Sequence, residues 1–389
     1  MQTMETISVI DKYSGEEIGT VPNASKTDVE RAIASAAKAF PAYADLPAHQ
    51  RAKILARASD RLAKYQEDIA TIICREAGKA WKFSMLEVAR AIETFQFAAE
   101  EAKRIHGETG LPEGVFNLIF GGGATVGDWL VTDPRVAKIT FTGSPPVGER
   151  IMSRAGLKEV TLELGNNSGT LIEEDADIDR AVPRCVVSSF ANSGQICISL
   201  QRLYLHEAIA DEFTKKFIAA TAKLKIGNPL DKDCDVGPMI TESEAERAEV
   251  WMNEAVAQGA KVLIGGKRKG RMLWPTVMTD VKPDMKVMCQ ETFAPQVSLV
   301  RYRSFEEGLE MLADSPYGLQ AGIYTRDIKK AFQAIKRVDV GGMMVNDTSI
   351  FRVDQMPYGG NKMSGIGREG VRFAIEEMTN IRMVCFNLA

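Results

Sequence analysis

What constrains the fold most is a change of texture near residue 108. From Leu46 to His106 the chain is rich in Ala, Glu, Arg and Lys, with apolar residues at helical spacing and one obvious break at Gly78, so it reads as a layer of helices. After Glu108, Gly110–Gly114 reads as a turn, and short apolar runs then alternate with helix starts. Val115–Phe120 reads as a strand, Gly121–Gly123 as a loop and Val126–Val131 as a short helix. Ala137–Phe141 reads as another strand, running through Thr142-Gly143-Ser144 into a helix that begins at Pro145-Pro146. Alternation continues from Val160 to Thr325, with loops at Ile226–Gly237 and Gly265–Gly270. Strands joined through helices pair in parallel, so the pattern predicts α/β architecture around a doubly wound parallel sheet.

The two ends differ from this middle. Ser8–Pro22 alternates apolar and polar residues around Ser14-Gly15-Glu16-Glu17, the pattern of a β-hairpin. Ser25 with Asp28 predicts a capping box opening a helix with Val29, Ile33, Ala36, Ala37 and Phe40 on one face. The last block is glycine-rich from Tyr358 to Gly370 and ends in an apolar run, Ile381–Phe386, that reads as a strand.

Composition then excludes several functions. At 389 residues, with 45% hydrophobic and 26% charged, the chain suits two or three globular domains. Forty-eight basic against 52 acidic residues leave a net charge of −4, with no excess to neutralise a nucleic-acid backbone. No run of 18 apolar residues predicts a membrane span, and Met1–Thr20 lacks the apolar core of a signal peptide. The three histidines (His49, His106, His206) have no partners at metal-ligand spacing, so neither a metal centre nor a Ser-His-Asp triad is expected. Six dispersed cysteines without a C-x-x-C pair fit reduced thiols in a cytoplasm.

Three short segments carry chemistry. At Phe141-Thr142-Gly143-Ser144 a strand meets a helix start, where amides and the helix dipole attract phosphate oxygens; a plain turn explains the same residues. Cys197 follows the flexible Ser193-Gly194-Gln195 stretch, giving it approach room as a nucleophile, whereas a lone cysteine is also an ordinary small core residue. Glu163 in Leu162-Glu163-Leu164-Gly165 is an acid in an apolar strand, either a base with a raised pKa or a solvated strand end.

Taken in order, these segments resemble a family. Phe141–Ser144, Leu162–Gly165, Gly194-Gln195-Ile196-Cys197, Glu291-Thr292-Phe293-Ala294-Pro295, Asn346 and Pro357–Glu369 are similar in order and spacing to the motif set of the NAD(P)-dependent aldehyde dehydrogenase superfamily, particularly its lactaldehyde and glyceraldehyde types. The resemblance implies an aldehyde dehydrogenase-like α/β fold. An incomplete parallel-sheet cofactor domain (1–165 and 361–380) would be followed by an α/β catalytic domain (166–360) and a C-terminal oligomerisation strand (381–389) of a homodimer or homotetramer. It implies that Cys197 adds to an aldehyde substrate and that Glu163 activates the water that hydrolyses the resulting thioester. It places Thr142, Gly143, Ser144, Val147, Gly165, Glu291 and Phe293 against NAD or NADP, with Gly165 leaving room near the nicotinamide. It sets Asn346 close to the active site and Phe351 in the aldehyde tunnel. Arg352 would hold a polar or anionic substrate tail, or else be an ordinary exposed or ion-paired arginine.

The resemblance also has a gap. Most relatives follow Leu-Gly with a second glycine where this chain has Asn166-Asn167-Ser168, a change expected to leave Glu163 in place. Between Thr109 and Gly110 the family carries a further stretch of about 80 to 90 residues, judged against ordinary domain sizes. That stretch would hold an asparagine that helps bind the oxyanion, a segment gripping the adenosine ribose, and an assembly hairpin. Two expectations follow: a working dehydrogenase, or a non-catalytic or severely impaired relative.

Overall fold

The computed structural model describes residues 5–44, 47–103 and 114–387. The Thr109–Gly110 junction lies outside them. The opening hairpin forms, with β1 (Thr6–Ile10) antiparallel to β2 (Glu17–Pro22). The Asp11 carboxylate accepts the N–H groups of Tyr13 and Ser14 in the reversal. Ser25 and Asp28 exchange both bonds of a capping box, at 3.0 and 3.3 Å, and open α1 (Lys26–Ala44). Val29 and Ile33 are buried against Val126, but Ala37 and Phe40 are exposed, contrary to the sequence pattern. Of the α1 residues, the cluster holds Val29 and Ile33, and Ala39 is buried further along. The helical layer consists of α2 (Ala48–Lys64), α3 (Gln66–Ala77) and α4 (Trp81–Ala102). Gly78 ends α3 with φ +71 and lies too close to Pro238 for a side chain.

Val115–Phe120 is a correction. These residues form no strand; the Phe120 carbonyl accepts one N–H from Ala24, at 2.8 Å, and no ladder develops. A strand exists only through a neighbour that takes its N–H and C=O groups, and the described residues supply none there. Phe116 and Leu118 are accordingly 79% and 67% exposed. A π turn at Gly123–Gly127 runs into α5 (Asp128–Thr132). Then β3 (Lys138–Thr142), α6 (Pro145–Arg154) and β4 (Glu159–Glu163) form a parallel strand-helix-strand unit over Val131, Ile151, Leu162 and Leu164.

The second sheet is larger. Its elements are β5 (Gly169–Ile172), α7 (Ile178–Phe190), β6 (Arg202–His206), α8 (Glu207–Thr221), α9 (Glu242–Ala257), β7 (Lys261–Ile264), a small hairpin of β8 (Arg268–Lys269) and β9 (Met272–Leu273), and β10 (Thr276–Thr279). These are followed by α10 (Lys286–Cys289), β11 (Gln296–Tyr302), α11 (Phe305–Ala313), β12 (Tyr317–Gly318), β13 (Gln320–Tyr324), α12 (Ile328–Arg337) and β14 (Gly342–Val345). Seven strands pair in the order β14-β13-β5-β6-β11-β10-β7, parallel except at β7, with an apolar cluster on each face. Burial on both faces explains why β5 and β13 are buried along their whole length.

The chain finally returns to the first half. β15 (Asn361–Lys362) pairs with β12, and β16 (Gly365–Ile366) pairs antiparallel with β4, before α13 (Val371–Glu377). The first-half sheet is therefore three strands in the order β16-β4-β3, parallel between β3 and β4 and antiparallel at β16, with one side of β3 unpaired among the described residues, as an incomplete cofactor sheet would leave it. Residues 381–387 carry no regular structure, and Ile381, Met383 and Phe386 are exposed; the strand expected there joins no sheet of this chain.

Candidate active site

Cys197 is delivered by a sharp turn at the end of α7. Asn192, Ser193 and Gly194 take left-handed φ of 50°, 56° and 69° in succession. A Cβ at Gly194 would lie 2.1 Å from the Ala294 carbonyl oxygen, so only glycine fits. The Ser193 hydroxyl donates to the Gly237 carbonyl at 2.8 Å and anchors the turn. Beyond it, half-buried Cys197 packs with Ile198, Leu319, Ile350 and Tyr358. Its Sγ lies 3.1 Å from the Tyr358 hydroxyl. Burial pushes its thiol up to about 11, the Tyr358 bond pulls it down, Glu291 and Glu163 raise it, and Arg352 lowers it.

Glu163 ends β4, held between Thr142 of β3 and Gly365 of β16, so Asn166-Asn167-Ser168 leaves it in the strand. It is 4% exposed, and neither carboxylate oxygen has a hydrogen-bond partner among the described residues. Burial raises its pKa to about 8, reinforced by Glu369 and opposed by Arg352 and Arg368. A Cβ at Gly359 would come within 3.1 Å of Glu163 Oε1. Thus successive residues of one turn, Tyr358 and Gly359, touch the thiol and the acid.

The cofactor candidates gather at the end of β4. The Glu163 carbonyl accepts the Gly143 N–H at 3.0 Å, which ties the Thr142-Gly143-Ser144 turn to the strand. These three residues and Val147 are exposed at the start of α6. Because α6 opens on Pro145-Pro146 and the Gly143 N–H is already bonded, the amides foreseen for phosphate shrink to that of Ser144, beside the Ser144 hydroxyl. Glu291 Oε1 accepts the Asn166 N–H at 2.8 Å, and burial raises this carboxyl to about 7 against the pull of Asn166 and Arg247. Gly165 differs from expectation: the space its missing side chain leaves is taken by Glu291, whose Oε2 would meet a Cβ at 2.5 Å. Phe293 is left-handed at φ 49°, beside Thr292, whose N–H donates to Gln201.

Of the substrate-side residues, Phe351 is 39% exposed beside Ile350 of the Cys197 cluster, and its carbonyl accepts from Gln320. Arg352 pairs with Glu369 at 2.9 Å, stacks 3.9 Å from the Tyr358 ring centre and keeps a buried Nε with no partner among the described residues. Arg90 of α4 pairs with Asp354 and has a buried, unpartnered Nε too. Asn346 lies at the end of β13, where its N–H donates to the Ile323 carbonyl and its side-chain oxygen accepts the Thr325 N–H. β14 carries it there, and its φ of 56° starts the return that brings Ile350 back. Tyr358 was legible only as part of Pro357-Tyr358-Gly359-Gly360; no sequence signal gave it a role.

The chemistry this arrangement supports is that of a thiol nucleophile beside a proton acceptor, on an α/β framework. A model of the aldehyde dehydrogenase family matches residues 1–110 and 107–384, two pieces that abut at the junction where a stretch was expected to be missing. The 3-sulfolactaldehyde dehydrogenase of Priestia megaterium is 40% identical over 459 aligned positions, covering 99% of this chain and 96% of the relative. That span exceeds the 389 residues here, so the relative has residues with no counterpart in this chain. Aldehyde dehydrogenase 21 from Physcomitrella patens, in complex with the reaction product succinate, superposes with a TM-score of 0.94 at 35% identity, covering 97% of this chain and 94% of that one. The glyceraldehyde-3-phosphate dehydrogenase GapN of Methanocaldococcus jannaschii, complexed with NADP, gives 0.94 at 33% identity, with 98% and 99% covered. The chain belongs to the aldehyde dehydrogenase family, whose members are NAD(P)-dependent oxidoreductases. No described helix is long and apolar enough to cross a membrane, and no described cluster of His, Cys, Asp and Glu could hold a metal ion.

Proposed function

We propose that the chain oxidises a small aldehyde with an anionic tail to the carboxylate, using Cys197 as nucleophile and Glu163 as base. The observation that carries this reading is the convergence of one half-buried thiol and one buried, unpartnered carboxyl on the Tyr358-Gly359 turn. The Cys197 thiolate adds to the aldehyde carbon, giving a thiohemiacetal. Bound NAD(P)+ supplies the hydride acceptor. With the hydride removed, Cys197 carries a thioester; Glu163 takes a proton from water as its oxygen attacks, releasing acid and free thiol. Ser144 and the side-chain-free Gly143 suit the pyrophosphate, and the Glu291 carboxylate, with Phe293 close by, suits a ribose hydroxyl.

The anionic tail rests on two arginines, Arg352 and Arg90, whose buried Nε atoms have no partner among the described residues. The names of the three relatives above refer to a sulfonated, a dicarboxylic and a phosphorylated compound. The two sheets suit a cofactor unit at 1–165 and 361–380 and a catalytic unit at 166–360. Exposed Ile381, Met383 and Phe386 suit a strand that completes a partner in a homodimer or homotetramer. All six cysteines are free, as in a reducing cytoplasm. Cys197→Ser tests the core of the reading: aldehyde-dependent reduction of NAD(P)+ disappears while the unfolding curve is unchanged, and sustained turnover in that variant would contradict it.

A further inference from the structure

Tyr358 is built into the site more firmly than a pocket wall requires. It is 3% exposed, and its backbone exchanges both hydrogen bonds with Glu369. Glu369 in turn holds Arg352 in an ion pair, and the Arg352 guanidinium carbon lies over the Tyr358 ring, 3.9 Å from its centre. Backbone pairing, ion pair and stacking fix the ring from three sides and leave its hydroxyl aimed at Cys197 Sγ, 3.1 Å away. No other side chain among the described residues is recorded hydrogen-bonding that sulfur.

We propose that the Tyr358 hydroxyl is the donor that holds the Cys197 thiolate, with the Arg352 guanidinium on the ring face strengthening it as a donor. Direction follows from chemistry: a thiolate can only accept, and burial keeps the phenol protonated by raising it well above its ordinary value. The other charged groups facing the sulfur are Glu291 and Glu163, which oppose the thiolate, and Arg352, which favours it. The hydroxyl thus stabilises charge at the atom that must carry it before addition, against Glu291 and Glu163 once these ionise, around pH 7 and pH 8. This inference rests on Cys197 being the nucleophile.

The test is the pH profile of iodoacetamide alkylation of the full chain, read by mass on the peptide that carries Cys197 so that Cys289 and Cys385 are counted apart. Tyr358→Phe keeps the ring under Arg352 and removes only the hydroxyl. The alkylation midpoint should rise by about one pH unit, with about tenfold slower alkylation near pH 8, the ordinary worth of a hydrogen bond to a charged group. Superimposable profiles, or a midpoint that falls, overturn the proposal. Should the variant fold poorly, the parent chain grown with 3-fluorotyrosine serves instead: its more acidic phenol is a better donor and should lower the midpoint, and an unmoved midpoint overturns the proposal. Failure of the underlying reading looks different, since Cys197→Ser would then still turn over aldehyde whatever the alkylation profile shows.

Discussion

Replacing Glu163 by glutamine asks whether a buried, unpartnered carboxyl governs both stability and turnover. Its pKa is raised from 4.5 to about 8 in the folded chain, principally by burial, and returns to the ordinary carboxyl range on unfolding. Between those values the folded chain holds a proton that the unfolded chain has lost. Stability therefore falls as pH rises, by about 1.4 kcal/mol per unit, and flattens above about pH 8. Over the whole window the loss is about 5 kcal/mol as an upper figure, because a relaxing site admits water to the charge. Glutamine stays neutral throughout and has no such slope. Thermal unfolding of parent and variant at matched pH isolates Glu163 together with the groups coupled to it, since titrations elsewhere in the chain cancel in the difference. The variant should gain on the parent steadily from pH 5 to pH 8.5, up to roughly 10 °C at about 2 °C per kcal/mol for a unit of this size. A difference that stays flat across that range would refute the claim that Glu163 is held neutral. The kinetic counterpart is the rise of parent kcat through about pH 8 as the base ionises, a limb that Glu163→Gln should lack while keeping its first burst of reduced cofactor.

The remaining predictions follow from single contacts. Gly165→Ala puts a Cβ against Glu291 Oε2, so Glu291 must turn away and give up the Asn166 N–H; a loss of about 1 to 3 kcal/mol is expected, with a smaller NAD(P)-induced rise in melting temperature, and an unchanged rise counts against Glu291 as a ribose ligand. Arg352→Gln should lower kcat/KM for a carboxylated aldehyde about tenfold or more relative to a neutral aldehyde of equal length, on the worth of a charge-assisted bond. Equal losses on both substrates would remove Arg352 from tail recognition.

The sequence made the order of elements and the site's main landmarks readable because they depend on local chemistry. The Ser25–Asp28 cap, the glycine stop at Gly78 and the strand-to-helix passage at Ser144-Pro145 are each set by a few adjacent residues. What failed depends on distant partners. Val115–Phe120 has strand composition, yet a strand is a property of a pair, and no described strand lies beside it. Phe40 continues a helical stripe past the end of the surface that the stripe covers. Gly165 looked like room for a ligand because the sequence cannot show that Glu291, far along the chain, fills that room. The hydroxyl of Tyr358 was invisible for the same reason: its meaning lies in a sulfur on another element.

The antiparallel pairing of β16 with β4 sets an order of events in folding. β3 and β4 leave the ribosome early, but β16 follows the whole seven-stranded sheet in the chain, so one edge of β4 stays empty until nearly all of the protein has been made. Until then nothing from the Pro357–Gly360 turn covers Glu163, and the Cys197 sulfur has no phenol beside it. Contacts of such long sequence separation form slowly. Acid and thiol therefore gain their shared turn in one late step, and a nascent chain that already has its large sheet still lacks it.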